Sequence, residues 1–218
     1  MVAPGMRRYR QRSEAQAELV GPDDGSPVDP RALFPSARRF RLELGCGHGE
    51  FISRMAAAHP DEGFIGNEFD HLRVTKCAHK CLKEGARHVR LFCGEAERFL
   101  PRLPTGLFLR IYILFPDPWP KAAHRRRRLL SLATLRQLTR VAAPGCRLVF
   151  ASDTHNYACQ VLAQATLLPG MWRARLPPSG YAIDAPVRFP TVFELHKRAE
   201  GCTIMRVELE RTEQEPPP

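Results

Sequence analysis

The sequence predicts a single α/β domain: a mostly parallel β-sheet with helices on both faces and one antiparallel edge strand. Three observations point there. Strand-period and helix-period segments alternate from about residue 40 to residue 168. Glycines crowd the turn between the first strand and the first helix. The rhythm then breaks near the C-terminus, where a proline-rich stretch precedes one more helix and one more alternating run.

Each element has a local reason. Phe40, Leu42 and Leu44 alternate with Arg41 and Glu43, which reads as a strand ending at Gly45. A helix over 50–59 and a short strand over 64–66 follow, then a helix over 72–84 that stops at Gly85. Next come a strand over 88–92 and a short helix over 95–100. Leu109, Ile111, Tyr112, Ile113 and Leu114 form a buried strand that must stop, because Pro116, Pro118 and Pro120 remove donors and fix φ. A helix is predicted over 126–140, a strand over 147–151 and a helix over 156–168. Residues 169–190 read as a long irregular loop, 191–200 as a helix and 203–209 as the closing strand. By this reading residues 1–37 are a basic arm and linker, mobile or loosely docked, 38–212 are the folded domain, and 213–218 fray.

Composition narrows the class. A chain of 218 residues buries a substantial core, and 44% apolar content excludes a disordered protein. No apolar run approaches the roughly 18–20 residues that span a bilayer, and the Arg-rich N-terminus lacks the apolar stretch of a secretory signal. Seven cysteines without framework spacing fit free thiols in a reducing cytoplasm. Cys77 and Cys81 share a helix face, but no second ligand pair follows, so no metal is expected. The net charge of +10 calls for an anionic partner, nucleic acid first and anionic membrane second. A merely solvated basic surface is the plainer reading of the total. Clustering argues against it, with Arg7, Arg8, Arg10 and Arg12 in one group and Lys121, His124 and Arg125 to Arg128 in another.

Candidate site residues sit at the predicted carboxyl ends of strands. Gly45, Gly47 and Gly49 let the backbone turn and a ligand approach closely beside a helix N-terminus. Their spacing is not that of a dinucleotide binder. Glu43, just before them, is placed to accept from a ligand ammonium, directly or through water. Glu68 ends the second strand, where an acid suits ribose hydroxyls. Glu95 follows the third strand; it is a candidate for an adenine amino group, and a helix-start acid favoured by the dipole is the equal alternative. Asp117 stands between two prolines. Trp119 either shapes a pocket or packs in the core. The basic run after it reads as a phosphate grip, since arginines at a helix start would oppose the dipole unless an anion answers them.

Glu43-Leu44-Gly45-Cys46-Gly47-His48-Gly49 with Glu68 resembles the class I S-adenosylmethionine-dependent methyltransferases. Phe115-Pro116-Asp117-Pro118-Trp119-Pro120-Lys121 with His124 and Arg128, and Thr191-Val192-Phe193-Glu194 near the end, are similar to the two motifs of the tRNA (guanine-N7-)-methyltransferase family. The resemblance spans roughly 38–210. It implies a Rossmann-like sheet of seven strands with the last antiparallel, and methyl transfer from S-adenosylmethionine to guanine N7 at position 46 of the tRNA variable loop. It further implies that Glu43, Glu68, Glu95 and Asp117 contact the methyl donor, with Asp117 as catalytic acid. Lys121, Asp153, Thr191, Phe193 and Glu194 fall on its tRNA- or guanine-binding positions. A cytoplasmic monomer is expected, with a homodimer as the alternative. The competing readings are a related methyltransferase acting on another RNA or a protein, and an inactive RNA-binding module.

Overall fold

The computed structural model describes residues 17–175, 182–183 and 189–213. Eight strands form one sheet: β1 (Phe40–Leu44), β2 (Gly63–Glu68), β3 (Val89–Cys93), β4 (Phe108–Leu114), β5 (Ala142–Ser152), β6 (Trp172–Ala174), β7 (Ala182–Ile183) and β8 (Met205–Arg211). Their order is β3-β2-β1-β4-β5-β8-β6, with β7 paired to β8. Strands β1 to β5 run parallel, and β8 is antiparallel to β5, β6 and β7. The antiparallel strand expected at the edge is present, and β6 lies outside it.

The helices are α1 (Pro30–Leu33), α2 (Glu50–Ala57), α3 (His71–Lys83), α4 (Ala96–Phe99), α5 (Leu132–Val141), α6 (His155–Thr166) and α7 (Val192–Ala199). They bury both faces of the sheet. Every residue of β2 is buried, and its neighbours Phe64 and Ile65 enter different hydrophobic clusters, as alternation along a strand requires. No helix among the described residues is long and apolar enough to cross a membrane.

Three expectations need correction. The linker is not loosely held: Leu19, Val28 and Phe34 are buried, and Val20 bridges to Leu91 beside β3. Arg102 fastens the same segment by donating to the carbonyls of Ser26 (2.7 Å) and Pro22 (2.9 Å). Apolar residues spaced among the turn residues supply the docking energy. Residues 1–16, with the first arginine cluster, and 214–218 lie outside the described residues. Second, the helix expected from residue 126 starts at Leu132, where the Ser131 hydroxyl accepts from the Thr134 N–H at 3.1 Å. The arginines before it form a short 3₁₀ turn, Ala122–Arg127. Third, the stretch read as irregular contains β6. Trp172 is held there by its indole N–H, which donates to Thr139 Oγ1 at 2.8 Å. The rest of that stretch, 176–181 and 184–188, lies outside the described residues.

Candidate functional site

The strand order brings the carboxyl ends of β3, β2, β1 and β4 side by side, which is where an open parallel sheet binds ligands. A cleft of about 500 Å³ opens there. Gly45, Glu68, Glu95 and Asp117 all line it, together with Phe69 and Arg127. Four predicted residues from four separate strand ends thus share one space.

The glycine turn is held from β2. The N–H groups of Gly45 and Cys46 donate to the Asn67 carbonyl at 2.8 and 3.1 Å. The Gly47 N–H donates to Glu68 Oε2 at 3.0 Å, and Glu68 Oε1 accepts the Asp70 N–H at 3.1 Å. Gly49 has φ +80°, and a Cβ there would meet Cys77 Sγ at 2.5 Å, so only glycine fits between the loop and α3. Asn67 ties the loops after β2 and β3 together through its amide, which donates to the carbonyls of Phe92 (3.1 Å) and Gly94 (3.0 Å). No local pattern in the sequence announces that brace.

Glu43 lies beneath the loop, 4% exposed, and does not itself line the cleft. Burial pushes its carboxyl well above the usual carboxylate range, helped by the charges of Cys81, Glu50 and Glu68. Its Oε2 has no hydrogen-bond partner among the described residues. An orphaned buried acceptor under a glycine loop, with further acids along one cleft, fits a ligand carrying an amine and hydroxyls. Glu95 stands at the start of α4 without capping it by its side chain; its exposed carboxylate lies 3.5 Å from Arg98.

Asp117 is solvent-facing in a rigid turn. Phe115 (φ 52°) and Trp119 (φ 40°) on either side adopt left-handed backbone that non-glycine residues rarely hold. Such strain persists only when the surroundings fix it. The Phe115 N–H continues the ladder to the Ala151 carbonyl at 2.8 Å. From the other end, Arg128 donates to the Pro118 carbonyl at 2.8 Å.

Arg128 corrects the expectation that the whole arginine run binds phosphate. It is 2% exposed. Its guanidinium lies over the Tyr157 ring at 4.4 Å and donates to Gln160 Oε1 (2.7 Å) and Asn156 Oδ1 (2.6 Å). It clamps the Asp117 turn to α6. Lys121, Arg125, Arg126 and Arg127 remain exposed, and Arg127 covers the Trp119 ring at 5.0 Å. His124 packs edge-on against Trp119 at 5.9 Å, so the indole supports the basic turn.

The C-terminal motif divides by task. Thr191 Oγ1 accepts the Glu194 N–H at 3.0 Å and caps α7. Glu194 is 2% exposed, and its Oε1 accepts from Arg198 (2.9 Å) and Arg206 (2.6 Å). Thr191 thus caps α7, and Glu194 ties α7 to β8 through Arg206. Burying a carboxylate requires such pairing. Phe193 is 45% exposed and meets Phe115 at 5.2 Å between ring centroids. Lys197 Nζ lies 5.6 Å from the Phe193 ring and 3.9 Å from Asp153 Oδ2. Asp153 and Phe193 therefore stand beside the Asp117 turn. Among the described residues no group of three or more His, Cys, Asp or Glu side chains is arranged to hold a metal ion.

A family model described as "Putative methyltransferase" matches residues 37–206. A tRNA (guanine-N(7)-)-methyltransferase of Rhodospirillum rubrum is 39% identical over 161 residues, covering 73% of this chain and 63% of the relative. The chain thus spans less than two thirds of that relative's length. The enzyme of the same name from Geobacter metallireducens is 31% identical over 198 residues, 89% of this chain and 92% of the relative. Among solved structures, a 16S rRNA (adenine(1408)-N(1))-methyltransferase from Catenulisporales acidiphilia superimposes with TM-score 0.60 at 17% identity, over 87% of this chain and 96% of that one. The 16S rRNA methyltransferase KamB gives 0.60 at 17%, over 84% and 92%. At that identity the likeness is one of fold.

Proposed function

The chain belongs to the tRNA (guanine-N7-)-methyltransferase family, and from that premise we propose that it methylates guanine N7 in tRNA, at position 46 of the variable loop. The observation that carries the reading is the shared cleft: Asp117 lines the same space as Gly45, Glu68 and Glu95, with the exposed arginine turn at its mouth.

S-adenosylmethionine supplies a methyl group activated by its sulfonium. Glu68 and Glu95 would hold its ribose and adenine, and Glu43, beneath the glycine turn, would reach its ammonium through water, with Gly45, Gly47 and Gly49 allowing close approach. Guanine N7 carries an in-plane lone pair and no proton, so the chain needs no strong general base. What it must supply is alignment, and a rigid turn suits that task. Positive charge grows on the purine as N7 is alkylated. The Asp117 carboxylate, held by the Phe115–Trp119 backbone, stabilises that charge and accepts from the base's N–H groups. Phe193 offers a ring face to an exposed base, and Asp153 a further acceptor beside it. Lys121, His124 and Arg125 to Arg127 hold phosphates. The substrate puts the work in the cytoplasm.

The test is incubation with labelled methyl donor and unmodified tRNA, followed by nucleoside analysis. The expected product is 7-methylguanosine; label in another nucleoside, or none, overturns the reading.

A further inference from the structure

Helix α3 carries more positive charge than the fold and the cleft use. Between its capping residue Asp70 and Glu84 it contains Arg73, Lys76, Lys80 and Lys83 and no acid. The four fall at i, i+3, i+7 and i+10, so they share one face. Arg73, Lys76 and Lys83 are exposed. Lys80 is answered internally by Glu50 at 2.8 Å, and Arg73 lies near Asp70. Lys76 and Lys83 make no ion pair among the described residues. Like charges at this spacing destabilise a helix, and an anion bound across the face would offset that repulsion.

The position of the stripe gives it meaning. Arg73 and Phe69, which follow β2, line the same cleft as Arg126 and Arg127, which follow β4, and β1 lies between those two strands. Phe69 is 63% exposed and Leu72 71%, and Arg73 lies over the Phe69 ring at 5.9 Å. From Arg73 to Lys83 the stripe runs about 15 Å away from the cleft mouth. Basic side chains in a row beside an exposed aromatic are what a nucleic-acid backbone with an accessible base recognises. We propose that the exposed face of α3 is a second tRNA-backbone track, so that the RNA is gripped on both sides of the cleft. This rests on the tRNA substrate proposed above.

The test compares wild type with Lys76→Gln/Lys83→Gln and with Lys76→Arg/Lys83→Arg, measuring tRNA affinity against salt. The glutamine pair should bind about tenfold more weakly at low salt, with a salt slope shallower by roughly 1.4–1.8. The arginine pair should behave as wild type, and turnover at saturating tRNA should not change. An unchanged slope in the glutamine pair overturns the track, and so does equal weakening in both pairs. Loss of binding to phosphatidylserine vesicles without loss of tRNA binding overturns it in favour of a membrane. Methylation by the wild-type protein is read separately, so failure of the track leaves the proposed reaction standing, and the reverse.

Discussion

Glu68 Oε2 accepts the backbone N–H of Gly47 at 3.0 Å, so the acid ending β2 also braces the loop that follows β1. Loop shape, and the ligand contact proposed above, depend on one carboxylate. Glu68→Ala should weaken methyl-donor binding by about 10- to 100-fold, as expected for hydrogen bonds to a charged group. Glu68→Gln, whose carbonyl oxygen still accepts from Gly47, should lose less. Calorimetric titration decides; unchanged affinity in Glu68→Ala would remove it from the donor site.

Glu43 should make stability fall with pH. Its carboxyl is raised in the folded state by burial, so on raising the pH the unfolded chain ionises first. The native state is therefore penalised above the ordinary carboxylate range, about pH 4.3. Glu43→Gln removes that penalty. Thermal melts without ligand should show a higher Tm for the variant at pH 7, converging with wild type near pH 4. A gain that does not depend on pH would contradict this. The same variant should bind the methyl donor more weakly.

Asp117 is exposed, and its side chain makes no hydrogen bond among the described residues. Asp117→Ala should keep the wild-type Tm and most tRNA affinity while turnover falls by about 10²- to 10³-fold. Single-turnover assays at saturating tRNA measure this, and retained turnover would exclude the catalytic role.

Neighbouring arginines should differ in kind. Arg128→Met should lower Tm, since about 2 kcal/mol of hydrogen bonding is lost at roughly 2–4 °C per kcal/mol. Arg126→Ala should leave Tm alone and make the tRNA salt slope shallower by about 0.7–0.9. Equal behaviour in both assays would refute the division.

Glu194→Ala should cost about 3–5 kcal/mol, because it strips a buried carboxylate from two guanidiniums. Urea unfolding reads this directly. A stable variant that had lost only guanine affinity would restore Glu194 to the acceptor site.

The sheet was legible because periodicity and strand-ending residues are local signals. Leu42, Ile65 and Ile111 announce their strands, and Glu68, Glu95 and Asp117 announce the edge on which those strands end. What stayed hidden was decided by contacts distant in sequence. Four consecutive arginines look alike until Pro118, Asn156 and Gln160 select Arg128 for burial. Thr191 and Glu194 stand out as a motif, but their anchoring depends on Arg206 in β8. Trp172 reads as loop because its partner strand comes more than thirty residues later.

Strand β8 sets an order of events during synthesis. As the chain leaves the ribosome, β1 to β5 can pair among themselves and complete the wall proposed to hold the methyl donor. Strand β6 and helix α7 cannot settle then, because one pairs with β8 and the other is pinned to it through Glu194 and Arg206. Phe193, proposed above to offer its ring to the base, therefore settles last, after residues 205–211 have emerged. The proposed methyl-donor site can thus be complete in a nascent chain before the proposed base-stacking face is in place.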